Sequence, residues 1–156
     1  MDTLTLTREV AQTADVRALL ERHFALMRGQ SPEESCHVMT ADSLTDAAAQ
    51  LLGVRKGGAL LGIAALVVIA PEHGELKSMH IVKEARGQGI ARRLLCGLID
   101  TARAQNLRRL SLETGTADIF SSARALYQSQ GFRECPPFGE YVADPLSVFM
   151  TKALNI

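Results

Sequence analysis

The chain is 156 residues long and 47% apolar, with 17 basic residues set against 17 acidic ones. That length holds one ordinary domain, 1–156, able to bury roughly two thirds of its unfolded surface. Balanced charge gives no electrostatic footing for nucleic acid or a membrane surface, and a chain with no Trp and 2 Tyr lacks base-stacking platforms.

The N-terminus, Met1-Asp2-Thr3-Leu4, has no basic stretch ahead of an apolar one. The most apolar run, Ala59 to Ala70, is too short to cross a bilayer, so a cytoplasmic protein is expected. Thr3 to Glu9 alternates Thr with Leu, as a half-buried first strand does. Asp15 is placed to cap a helix in which Val16, Leu19, Leu20, His23, Phe24 and Met27 share one face, and Gly29 to Pro32 ends it. Glu33 to Asp46 reads either as a short second helix or as a loop. Leu51–Arg55 and Ala59–Ile69 flank Lys56-Gly57-Gly58, a hairpin signal, and the second run is apolar on both faces, as a central strand is. Pro71-Glu72-His73-Gly74 turns the chain into a fourth strand, Glu75 to Val82.

A helix then carries Ile90, Leu94, Leu95, Leu98, Ile99 and Ala102, and a strand spans Arg108 to Glu113. Ser121 to Gln130 reads as a short helix capped by Ser121 or Ser122 and stopped by Gly131, before a closing strand over Val148–Leu154. The order β-α-(α)-β-β-β-α-β-α-β predicts an α/β fold, with antiparallel strands first and a strand–helix–strand unit making the middle parallel. Cys36, Cys96 and Cys135 are odd in number and lack metal-ligand or redox spacing, which favours structural roles and no metal. His23 lies on an apolar helical face, His37 and His73 fall in loops without a partner signal, and simple alternation points His80 away from Glu75, Lys77 and Met79.

The chemical signal is the junction that ends in Arg86-Gly87-Gln88-Gly89-Ile90-Ala91. A strand stops, two glycines turn the chain, and an amphipathic helix starts. The first N–H groups of a helix have no internal partners and lie at its positive end, so they suit a pyrophosphate, with Arg86 adding fixed charge. Taken by itself, the loop reads equally well as a tight turn without a ligand. A dinucleotide fingerprint needs a small third residue where Arg92 stands, and the Gly-Lys-Ser/Thr ending of a Walker loop is absent.

From Glu75 to Phe132 the chain resembles the GCN5-related N-acetyltransferases, whose signature Arg/Gln-x-x-Gly-x-Gly/Ala follows the fourth strand. A second family element is matched by Leu126-Tyr127-Gln128-Ser129-Gln130-Gly131-Phe132. The segment Pro137-Phe138-Gly139-Glu140-Tyr141 and the stretch Asp144 to Met150 resemble a subset of bacterial members. The resemblance implies a mixed, mostly antiparallel sheet flanked by helices, with its fourth and fifth strands splayed. It implies acetyl-CoA as co-substrate, a small-molecule or peptide amine as acceptor, direct attack in a ternary complex, and the homodimers common among relatives.

Carried over residue by residue, the segment Met79, His80 and Ile81 lies along the cofactor's pantetheine arm, with backbone groups of Met79 and Ile81 bonding it. Amides of Gly87, Gln88, Gly89, Ile90 and Ala91 hold the pyrophosphate beside Arg86. Tyr127 is the implied acid for the leaving thiolate, and Glu75 the implied base, with Glu113 as the rival. Lys83 stands where many relatives have Pro, and Phe120 where many have an Asn that touches the cofactor; Thr114 or Ser121 is a substitute for that contact. An alternative of another class is a non-catalytic acyl-CoA sensor, which needs the loop but no proton donor.

Overall fold

The computed structural model describes residues 3–30, 32 and 37–154. Seven strands form one sheet: β1 (Leu4–Glu9), β2 (Gln50–Lys56), β3 (Ala59–Ala70), β4 (His73–Ile81), β5 (Arg109–Gly115), β6 (Arg133–Glu134) and β7 (Ser147–Ala153). Their order is β1-β2-β3-β4-β5-β7-β6, and every neighbouring pair is antiparallel except β4 with β5. Helices α1 (Ala14–Gln30) and α2 (Ala41–Asp46) cover one face, whereas α3 (Ile90–Ala104) and α4 (Ser121–Ser129) cover the other. The expected mixed, mostly antiparallel sheet is therefore observed. The short β6, two residues long, was too brief to leave a periodic trace in the sequence.

Two cores follow from the alternation of the central strands. Ile63, Ala65 and Val67 of β3 pack with Val16, Leu19, Leu20 and Leu44 beneath α1 and α2. Ala64 and Leu66 join Leu94, Leu95, Leu98, Leu110 and Leu112 beneath α3. Each fully buried Leu removes enough apolar surface to contribute about 1.5–3 kcal/mol, so the strand–helix–strand unit is anchored independently of any ligand. The hairpin turns at Gly57 and Gly58, φ 57° and 83°, the pair of positive angles that a two-residue turn between twisted strands requires.

Several local expectations need correction. Asp15 lies inside the first turn of α1 rather than capping it, and its carboxylate meets Arg55 at 2.7 Å. Helix α1 continues through Gly29 to Gln30. The ambiguous stretch before β2 holds α2, closed by a capping box in which Ser43 N–H donates to Thr40 Oγ1 at 3.0 Å and Thr40 N–H donates to Ser43 Oγ at 2.8 Å. A Ser stands at the position where Glu or Gln normally signals that box. Residues 33–36 of that stretch, Cys36 among them, lie outside the described residues. Helix α4 takes no serine cap: a 3-10 turn over Asp118–Phe120 leads into it, and Phe120 occupies the cap position without a side-chain bond. Among the described residues no helix is long and apolar enough to cross a membrane.

Candidate active site

The site begins where the sheet stops being a sheet. Strands β4 and β5 pair in register from His73↔Arg109 to Leu76↔Leu112 and no further, although β4 runs on to Ile81 and β5 to Gly115. Beyond that point, among the described residues, β4 pairs only with β3 and β5 only with β7. The facing edges of the two strands thus carry backbone N–H and C=O groups with no strand between them, and such groups recruit a ligand that presents amides.

A bulge at Ser78 sets this geometry. The register of β3 against β4 shifts between Ile63↔His80 and Ala65↔Lys77, so one residue of β3 faces two of β4. Ser78 has φ 60°, a left-handed conformation that costs a residue with a Cβ about 1–2 kcal/mol. Its Oγ is buried without a hydrogen-bond partner among the described residues. Strain and an orphaned hydroxyl on one residue of a cavity wall are the mark of a strand shaped for something other than stability.

The bulge also overturns the expected orientation of His80. The extra residue shifts the alternation, and His80 pairs with Ile63 as Lys77 pairs with Ala65 and Glu75 with Val67, all on the α1 face. There His80 Nδ1 lies 3.0 Å from Nδ1 of His23 on α1, with the rings edge to face. One nitrogen must donate and the other accept, so the pair is stable with at least one ring neutral. Burial, and then the neighbouring His80, depress the pKa of His23 to about 3. The pKa of His80 is also lowered, by burial and then by Arg86 and Arg22.

A pKa depressed in the folded state makes the neutral ring the folded form. Stability is complete above the unfolded value of about 6.5 and is lost as pH falls from there toward the folded value, by about 1.4 kcal/mol per pH unit for one such group. His23→Gln, which keeps a hydrogen-bonding group on α1, is expected to lower the proton uptake on unfolding by about one proton at pH 5. Calorimetric melts between pH 4 and 7 measure it; an unchanged dependence on pH would contradict the assignment.

The gap between the strands widens into a cavity of about 620 Å³. Along one wall lie Ser78, Met79, His80 and Ile81; along another lie Glu113, Thr114 and Tyr127. Its mouth is formed by Arg86, Gly87, Gly89, Ile90, Ala91 and Arg92 at the start of α3. Gly89, φ 77°, is the N-cap of that helix and offers no side-chain cap. Gly87 has φ 82°, and a Cβ on either glycine would meet nothing within 4 Å. The uncapped start of α3 therefore lines the cavity with open space beside its two glycines, an arrangement that suits an anion seat.

Sequence reasoning missed Arg92 as part of this mouth. The first turn of α3 contains no acidic residue, although the positive end of a helix favours one. Basic residues there are unfavourable unless an anion is present, and that was the available signal. Gln88, conversely, is exposed and lies off the cavity wall. Of the two substitutes for an Asn contact, Thr114 lines the cavity and Ser121 does not; Phe120 lines it, its ring packed on Gly115.

Tyr127 on α4 is 7% exposed and packs edge-on against Phe132 with ring centroids 5.9 Å apart. Burial alone pushes its pKa up to about 12, so the hydroxyl keeps its proton throughout the neutral range. Glu113 accepts a hydrogen bond from Ser147 Oγ at 2.8 Å, and burial raises its pKa above the ordinary carboxylate value. Glu75 is placed differently. Its buried carboxylate accepts the Tyr141 hydroxyl at 2.5 Å, meets Lys77 Nζ at 3.4 Å, and lines a second cavity of about 570 Å³. Two histidines expected in loops without partners have them: His73 opens β4 with Nε2 at 2.7 Å from Ser111 Oγ, and His37 packs edge-on against Tyr141. Cys96 and Cys135 are partly buried free thiols. Among the described residues no cluster of three metal-ligating side chains occurs.

A parallel strand pair that parts beside an uncapped helix, within an otherwise antiparallel sheet, is the architecture of an acyl-CoA N-acyltransferase. The sequence profile of the acetyltransferase (GNAT) family matches residues 14–132. The chain is 39% identical over 139 residues to the uncharacterised N-acetyltransferase YsnE of Bacillus subtilis, across 89% of this chain and 92% of that protein. It is 37% identical over 156 residues to an IAA acetyltransferase of Azospirillum brasilense, across 99% of this chain and 100% of the relative. A crystal structure from Klebsiella pneumoniae, provisionally described as an acyl-CoA N-acyltransferase, superposes with a TM-score of 0.79 at 30% identity, covering 98% of this chain and 99% of the other. The chain belongs to the GNAT acetyltransferase family, and it is an acyl-CoA-dependent N-acetyltransferase.

Proposed function

We propose that residues 1–156 form one domain that transfers an acetyl group from acetyl-CoA to a primary amine by direct attack in a ternary complex. The observation that carries this reading is the coincidence, around one cavity, of unpaired strand edges, uncapped α3 amides and two protonatable groups, Tyr127 and Glu113. Acetyl-CoA supplies an activated thioester when bound.

The chain's own residues supply the rest. Amides from Gly87 to Ala91, with Arg86 and Arg92, hold the diphosphate by charge-assisted bonds that contribute about 1.5–3 kcal/mol each. Backbone groups of Met79 and Ile81, left without a strand partner on the β5 side, bond the arm, and the neighbouring N–H groups stabilise charge that develops on the carbonyl oxygen. As the N–C bond forms and the C–S bond breaks, Tyr127 gives its proton to the departing sulfur. A phenol at about 12 is a weak acid, but the burial that raises it also raises the thiol that receives the proton.

For the base, the placement of Glu113 in the same cavity as Tyr127 favours it over Glu75, whose carboxylate is engaged by Tyr141 and Lys77. Glu113 accepts protons only above its raised pKa, so kcat/KM is expected to fall on the acid side at a pH higher than an ordinary carboxylate would give. Glu113→Gln should keep the Ser147 bond, lower kcat by about two orders of magnitude or more and abolish that acid limb, while Glu75→Gln leaves the limb in place. Because the raised pKa reports a carboxylate destabilised at neutral pH, Glu113→Gln should also melt at a higher temperature than the parent. Thiol release followed against pH, beside calorimetric melts, tests both halves. An acid limb that survives in Glu113→Gln and vanishes in Glu75→Gln would return the role to Glu75. The protein is expected to form a homodimer, a state that sedimentation equilibrium reads directly.

A further inference from the structure

The second cavity is separate from the cofactor's mouth and adjoins the reaction cavity at His37, which lines both. Aromatic and apolar residues form part of its wall: His37, Ile69, Phe138, Tyr141 and Val142. Tyr141 is edge-on to His37 at 5.0 Å and to Phe138 at 5.1 Å, and both Phe138 and Tyr141 rest on the buried Phe149. Such an edge-to-face cluster accepts one more ring by the same geometry.

The charged side chains that line this cavity are both acidic. They are Glu75 and Glu140, and among the described residues no Lys or Arg lines the cavity. The nearest ammonium, Lys77, has three protons and three acceptors: the Tyr141 hydroxyl at 2.9 Å, the His37 carbonyl at 3.3 Å and the Glu75 carboxylate at 3.4 Å. It has no N–H left for a ligand carboxylate. Its charge offsets that of Glu75, so among the described lining residues the charge left over is the negative one of Glu140 at the exposed rim, which favours a cation over an anion.

We propose that this cavity is the acceptor subsite and that the acceptor is an arylalkylamine lacking a carboxylate. This rests on the acetyl transfer proposed above. The ring sits against Phe138 and Tyr141, and the short alkyl tail passes His37 to bring the amine to Glu113. Glu75, held by Tyr141 and Lys77, fixes the wall, and Glu140 at the rim disfavours acidic substrates.

Tyramine and tyrosine differ by one carboxylate and provide the matched pair for the test. In a thiol-release assay with acetyl-CoA, kcat/KM for tyramine is expected to exceed that for tyrosine by about tenfold or more. Phe138→Ala should raise KM for tyramine by about tenfold, and the exposed Glu140→Gln should narrow the discrimination against tyrosine several-fold, neither changing the Kd of coenzyme A measured by calorimetry. Equal kcat/KM for the pair, a KM for tyramine unmoved by Phe138→Ala, or a peptide N-terminus acetylated in preference to tyramine would overturn the assignment. Acetyl-CoA bound normally with tyramine left unmodified overturns this assignment alone. Failure to bind acetyl-CoA overturns the acetyl-transfer reading and this assignment with it.

Discussion

Gly89→Glu is expected to weaken acetyl-CoA binding by about three orders of magnitude while leaving the fold intact. The residue is the N-cap of α3 at φ 77°, and the space in front of its missing Cβ is empty. A carboxylate placed there enters the seat assigned to the diphosphate and competes for the same uncapped amides. The fold tolerates the change because the position is exposed and the buried leucines of α3 anchor the helix from its other side. A left-handed residue with a Cβ costs about 1–2 kcal/mol against a typical stability of about 5–15 kcal/mol. Gly89→Ala carries the same backbone strain without the charge, so the difference between the two variants isolates the electrostatic part. Calorimetric titration with acetyl-CoA reads both. Equal Kd values for parent and Gly89→Glu would remove the loop from the site.

Tyr127→Phe is expected to lower kcat by about two orders of magnitude with little change in the Kd of acetyl-CoA. The substitution keeps the ring that packs against Phe132 and removes only the hydroxyl, so packing loss cannot account for a defect in turnover. With its pKa pushed up to about 12, the hydroxyl stays protonated to well beyond neutrality. The parent should therefore show no alkaline loss of rate from this group below about pH 10. Pre-steady-state thiol release distinguishes the outcomes: a slowed chemical step supports the role as acid, whereas an unchanged one assigns the proton to water.

These two residues also show what was legible in the sequence. The glycine junction and Leu126 to Phe132 are local patterns in which each residue type has a conformational or chemical reason for its place, and the structure sets both segments around one cavity. The hairpin at Gly57-Gly58 and the strand–helix–strand unit were equally local. The bulge at Ser78 was not. Lys77-Ser78-Met79 contains no Gly, Asn or Asp to announce a left-handed residue, so strict alternation assigned His80 to the wrong face. The Glu75–Tyr141 contact joins residues 66 apart in sequence through a loop with no periodic pattern, and only tertiary packing brings them together. The cap of α4 failed for a related reason. Ser121 and Ser122 are good capping residues, but the preceding 3-10 turn already starts the coil one residue earlier.

Strain at Ser78, basic residues at the positive end of α3 and a half-buried Glu113 whose charged form is disfavoured by desolvation all weaken the isolated fold. Each lies on the wall of one cavity, and each is relieved or used when a diphosphate-bearing thioester and an amine are present. Stability given up at several points around one opening is the physical signature of a site.

Backbone amide chemical shifts of the nitrogen-15-labelled protein, followed through a titration with acetyl-CoA, test the diphosphate seat most directly. Amides of Gly87 to Ala91 are expected to move most, followed by those of Met79 to Ile81, while the buried turn of α1 around Leu19 and Leu20 stays in place. Saturating acetyl-CoA that leaves the amides of Gly87 to Ala91 unshifted, or that moves a different surface instead, would contradict the assignment of that seat.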